Sequence, residues 1–87
     1  MKLSVTQQQV LLALAAGQRL KSHRYLSGLK VFRLHPLDGQ PQPVRRATVE
    51  SLCKRGLIDS NKKFPAATYW LTEQGRRLVA ALKSTGS

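Results

Sequence analysis

The chain has 87 residues, with 15 lysines and arginines against 4 aspartates and glutamates, a formal net charge of +11. That length holds one small domain, and its hydrophobic fraction of 41% excludes a wholly disordered basic tail. One cysteine excludes an internal disulfide and fits a reducing compartment. The longest near-apolar run, residues 10–16, falls far short of the roughly 20 residues that span a bilayer and lacks the flanks of a signal peptide. The expectation is a single cytoplasmic domain over residues 1–87, with residues 84–87 as a frayed tail.

Ser4-Val5-Thr6-Gln7 has the spacing of a capping box, and Val10, Leu11 and Leu14 follow at helical intervals. A first helix is therefore predicted over about residues 5–16, closed by Gly17. Residues 18–35 change character. Apolar and basic side chains mix up to Leu26, Ser27-Gly28 is a turn signal, and Lys30-Val31-Phe32-Arg33-Leu34 alternates with period two, which reads as a β-hairpin. Pro36 to Pro43 carries three prolines and is read as a loop. Pro43 suits the first turn of a helix predicted over about 44–55, with Gly56 as its stop. A strand over 57–60, a turn over 61–65 and a returning strand over 68–71 follow. Thr72 then caps a last helix with Glu73 in its first turn. Leu78, Val79 and Leu82 form its apolar stripe, which either closes the core or serves a homodimer.

The charge is concentrated. Between Arg19 and Lys63 stand eleven basic residues and three acids, a net +8. Self-repulsion of that size destabilises a compact state, and a polyanionic partner relieves it. No segment joins a basic face to a long, aromatic-rich apolar face, so a membrane surface is not the expected partner.

On the predicted 44–55 helix, Val49, Leu52 and Cys53 share the side assigned to the core, with Cys53 expected as a buried, inert thiol. The outward side shows Ala47, Glu50, Ser51 and Lys54, flanked by Arg46 and Arg55, with Glu50 expected to pair with Lys54. Arg45 and Arg46 stand in the first turn, where the helix dipole disfavours cations, which points to retention for a partner. Arginine forks onto guanine or phosphate, and Ser51 and Lys54 reach base edges or backbone oxygens. With Glu50 outward, backbone contact is the better reading. Lys62 and Lys63 at the tip of the second hairpin suit phosphates, although hydration alone also accounts for them.

The first hairpin offers Arg19, Lys21 and Arg24, with Lys30 and Arg33. Tyr25 and Phe32 are interleaved with them and either pack in the core or stack single-stranded bases; Trp70 is expected in the core. His23 and His35 lack partners at metal-ligand spacing, and no nucleophile–base–acid set or Gly-rich phosphate loop stands out. No metal, cofactor or catalysis is expected.

The stretch Ala47-Thr48-Val49-Glu50-Ser51-Leu52-Cys53-Lys54-Arg55-Gly56-Leu57-Ile58, followed by Tyr69-Trp70-Leu71-Thr72-Glu73-Gln74-Gly75-Arg76-Arg77-Leu78, resembles the C-terminal half of a winged-helix DNA-binding domain. There a TVxxL…GLI helix precedes a two-stranded wing, and a Y-x-L-T-x-x-G segment enters a terminal helix. Residues 18–35 depart from the pattern, reading as a hairpin where a standard winged helix places a second helix. The whole chain is also similar to the small bacterial YjhX-type family, regarded as toxins that inhibit DNA topoisomerase I. That similarity rests on Met1-x-Leu3-Ser4 with Gln8, then Leu11, Leu14-Ala15, Gly17, Arg19, Arg24, Ser27-Gly28, Leu57-Ile58-Asp59-Ser60 and Tyr69.

The expected fold is an α+β, winged-helix-like domain ordered helix, hairpin, helix, hairpin (the wing), helix. The expected function is non-catalytic binding of double-stranded DNA, mainly through phosphates, by a small bacterial or phage regulator. The alternative that the second resemblance implies is a protein inhibitor whose basic face docks on a nucleic-acid enzyme such as DNA topoisomerase I.

Overall fold

A computed structural model describes residues 3–85 of the chain. They form helix α1 (Val5–Ala15), strands β1 (Arg19–Arg24), β2 (Lys30–His35) and β3 (Gln42–Val44), helix α2 (Arg46–Lys54), strands β4 (Ile58–Ser60) and β5 (Ala66–Leu71), and helix α3 (Glu73–Thr85). The strands make one antiparallel sheet in the order β3-β2-β1-β5-β4. Both expected hairpins are present, and β1 joins them by pairing with β5 as well as β2. The domain is α+β.

The capping box forms as its spacing predicts. Ser4 Oγ accepts from the Gln7 N–H at 3.1 Å, and Gln7 Oε1 accepts from the Ser4 N–H at 2.9 Å. The Gln7 side-chain amide also donates to Ser51 Oγ at 2.7 Å. One side chain thus starts α1 and ties it to α2, forty-four positions away.

Two boundaries differ from expectation. Pro43 lies not in a helix but opposite Arg33 in β3, so the end of the 36–43 loop is strand, and α2 begins at Arg46 with Arg45 at its N-cap. An edge strand tolerates proline because its outer side needs no ladder donor, and Val44 next to it faces inward across from Phe32. The last helix runs to Thr85, into the expected tail. Gly86 and Ser87, the rest of the expected tail, lie outside the described residues, as do Met1 and Lys2.

Period-two alternation divides the sheet into two faces. Leu20, Phe32, Leu34, Ile58, Tyr69 and Leu71 point to one side and pack with Val10 and Leu11 of α1, Val49 and Leu52 of α2, and Val79 of α3. All three helices lie on that side. Trp70, expected in the core, is 45% exposed. The alternation that buries Tyr69 and Leu71 turns the residue between them to the other face.

The link between α2 and α3 explains the Thr-x-x-Gly spacing. The Thr72 hydroxyl donates to the Gly56 carbonyl at 2.5 Å and accepts from the Gly75 N–H at 3.1 Å, capping α3. The Thr72 N–H donates to the Leu57 carbonyl at 3.1 Å. A Cβ at position 75 would overlap that same Leu57 carbonyl oxygen, so backbone meets backbone here and only glycine fits. Gly75→Ala should therefore cost about 2–3 kcal/mol as an overpacking change. In a domain of this size that lowers Tm by roughly 10 °C or more, measured by thermal unfolding.

Candidate nucleic-acid interface

α2 is built against its own stability at its N-terminus. Arg45 occupies the N-cap without a side-chain capping bond, and the first turn holds no acid. Serine or aspartate at the cap is worth about 1 kcal/mol, and a cation in the first turn costs about 0.3–1 kcal/mol more. An anion at this end of the helix would offset both penalties, because it meets the outward N–H groups of the first turn.

The outward face of α2 differs in phase from the expected one. Ser51 is half-buried and accepts the Gln7 bond, whereas Cys53, expected in the core, is exposed. The contact with α1 rolls the helix toward Ser51 and carries Cys53 out to the surface beside Lys54. Glu50 pairs with Arg46 (3.4 Å) rather than with Lys54, both side chains well exposed, so this pair contributes little stability. Arg45 and Lys54 are exposed, and Arg55 is half-buried at the C-cap.

A second group of cations gathers at the ends of the two hairpins. Arg24, Lys30, Lys62 and Lys63 surround a depression of about 270 Å³ whose lining includes Ser22, Ser60 and Tyr69 and no carboxylate. The β4–β5 turn is held by Asn61, whose Oδ1 accepts from the N–H groups of Lys63 (3.1 Å) and Thr68 (3.3 Å). Ser60 Oγ accepts from the Lys62 N–H, and Lys62 takes a left-handed φ of 55°. The Arg24 N–H donates to the Pro65 carbonyl at 2.9 Å, joining the second hairpin to the first. The Arg24 guanidinium also donates to the Gly28 carbonyl at 3.1 Å, so part of its capacity closes its own turn. Lys30, named in the sequence among the first hairpin's cations, joins this group because it sits directly across from Arg24.

Arg19 and Lys21 do not join this group. They alternate with Leu20 and Ser22 along β1 and therefore project from the opposite face of the sheet. The sequence-based site thus divides into a helix-side surface (Arg45, Arg46, Ser51, Lys54, Arg55, Lys62, Lys63 and Arg24) and a far-side pair. Of the interleaved aromatics, Phe32 is buried and Tyr25 is 41% exposed.

Comparison with protein-family models, curated proteins and solved structures finds no match. Among the described residues, no helix is long and apolar enough to cross a membrane, and no three His, Cys, Asp or Glu side chains gather as a metal site.

The Cys53 thiol has a raised pKa. Partial shielding of the thiol from water is the main cause and the Asp59 and Glu50 carboxylates add to it, while Lys30 opposes them. Raising a thiol's pKa leaves less thiolate at neutral pH, so alkylation of Cys53 should be slower than that of an unhindered cysteine peptide. It should climb about tenfold per pH unit beyond the pH at which the peptide levels off. Iodoacetamide labelling followed by mass spectrometry measures this.

Proposed function

We propose that this protein is a non-catalytic double-stranded-DNA-binding protein, a winged-helix-like regulator of bacterial or phage type that holds DNA mainly by its phosphates. One observation carries the reading: Arg24, Lys30, Lys62 and Lys63, from two separate turns, converge on one acid-free depression. The uncapped, doubly basic start of α2 on the same side of the sheet adds to it. The succession of α2, the β4–β5 hairpin and α3 accords with the winged-helix resemblance, with the β1–β2 hairpin standing in place of a second helix and contributing Arg24 and Lys30. Glu50 on the outer face of α2 repels phosphate and can only accept, from the amino groups of cytosine or adenine, so phosphate contact is assigned to the hairpin cations and the start of α2 rather than to that face.

With about five phosphates neutralised, the logarithm of duplex affinity should fall against the logarithm of salt concentration with a slope of about −4 to −5. Replacing both Lys62 and Lys63 by alanine should make the slope shallower by about 2 and weaken all duplex sequences alike. Fluorescence anisotropy across a salt series reads both. A duplex affinity indifferent to salt overturns the proposal.

A second reading is favoured by a different observation. Leu26, Leu29 and Phe64 are strongly exposed at the same hairpin ends as the cations. Apolar side chains there gain more by burial against a protein than against phosphate. This suits an inhibitor docked on a nucleic-acid enzyme, topoisomerase I being the one the YjhX-type resemblance implies. Capture from a nuclease-treated bacterial lysate separates the readings: retention of that enzyme supports the inhibitor, and loss of all partners supports DNA binding.

A further inference from the structure

The face of the sheet that the helices leave bare carries its own chemistry. At its centre Lys21 stands directly opposite Arg33, and Thr68 flanks Lys21 on the other side. Two cations facing each other across a strand pair are destabilising. Among the described residues no carboxylate forms an ion pair with either. Arg19, opposite His35, extends the positive strip along β1. The one acid on this face, Asp59, lies on the edge strand β4 across from Trp70.

Ring-bearing side chains bracket the cations. Toward the β1–β2 turn, the rings of His23 and Tyr25 meet edge to face, with centroids 4.7 Å apart and planes at 71°. They line a depression of about 350 Å³ together with Lys21, Arg33, Val31 and Ala66. Toward the other end of β5, Trp70 turns outward, four residues and roughly 13 Å along the strand from Ala66. An apolar, ring-lined depression, a row of cations and a second exposed ring thus follow one another across the face.

We propose that this bare sheet face binds single-stranded nucleic acid, with a base against the Tyr25–His23 pair, phosphates on Lys21 and Arg33, and a further base stacked on Trp70. Stacking on protein rings is worth about 1–3 kcal/mol per base and tolerates any sequence, while the cations track the backbone. The width of the sheet does not suit a B-form major groove. Five strands span roughly 19 Å, whereas a major groove of about 12 Å admits only a helix or a two-stranded ribbon. An acidic protein surface would satisfy the cations but would leave the rings without a role. The site is independent of the proposed duplex surface, which lies on the helix side.

Trp70 is the chain's one tryptophan, so the unmodified protein supplies a direct readout. Titration with an oligothymidylate of about 15 nucleotides should quench its fluorescence, whereas a duplex of equal charge should not. By anisotropy, Tyr25→Ala and Trp70→Ala should each weaken oligothymidylate binding by about 5- to 150-fold, corresponding to the stacking of one base. Both should leave duplex affinity unchanged, and Tyr25→Phe, which keeps the ring, should bind as the parent does. Lys62→Ala with Lys63→Ala should do the reverse, so failure of this site and failure of the duplex surface are told apart. Absence of quenching, or ring variants that bind oligothymidylate normally, overturns the proposal. So does an affinity for polyglutamate that matches oligothymidylate and ignores the ring substitutions, because the face would then read charge alone.

Discussion

The helix side of the molecule depends on a single close approach, that of the first turn of α3 to the backbone leaving α2. At Gly75 the helix touches the Leu57 carbonyl with no side chain between them, and the Thr72 hydroxyl holds the gap by donating to Gly56 while accepting from Gly75. Leu57 leads directly into β4, and Leu71 ends β5 one residue before Thr72. Strands β4 and β5 are therefore clamped at their base. Their far end is held by the bond from Arg24 to the Pro65 carbonyl and by the Asn61 turn. Lys62 and Lys63 thus stand on backbone fixed at both ends, which leaves mainly side-chain freedom to be lost when an anion is bound.

The distribution of charge follows from that frame. The ion pairs Arg46–Glu50 and Arg77–Glu73 are each confined to one helix and exposed. Neither ties distant parts of the chain together, so neither offsets the repulsion among the cations of the hairpins. The hydrophobic core, with Leu11, Leu20, Leu52 and Val49 fully enclosed, has to hold the fold against it. The cations are also sorted by strand parity. Even-numbered Arg24 falls with the core-facing residues of β1 and joins the cations of the β4–β5 turn, while odd-numbered Arg19 and Lys21 fall on the bare side. Neighbours in sequence therefore serve opposite surfaces of the sheet.

Much of this was legible in the sequence wherever the signal is local. The Ser4–Gln7 capping box, the turn at Gly28, the alternation through Val31–Leu34 and the Thr72 cap each depend on residues within a few positions of one another. What was hidden depends on distant partners. The roll of α2, which half-buries Ser51 and exposes Cys53, accompanies a bond from Gln7, forty-four residues away. Helical periodicity gives the existence of an apolar stripe there but not the neighbour that fixes its angle. Pro43 read as a helix start because nothing nearby announces that β2 will offer it an edge. Trp70 read as core because aromatic residues usually are. Its true position follows only when the sheet is known to have one face without a covering layer.

That edge has a further consequence. β3 contributes only Gln42, Pro43 and Val44, and Pro43 brings no N–H to a ladder. At the opposite margin β4 is equally short and carries an outward aspartate. Open sheet edges invite strand addition by other chains, and both margins here are poor templates for another strand. The domain keeps a broad, uncovered platform while withholding the backbone groups that would let copies of itself zip together into aggregates.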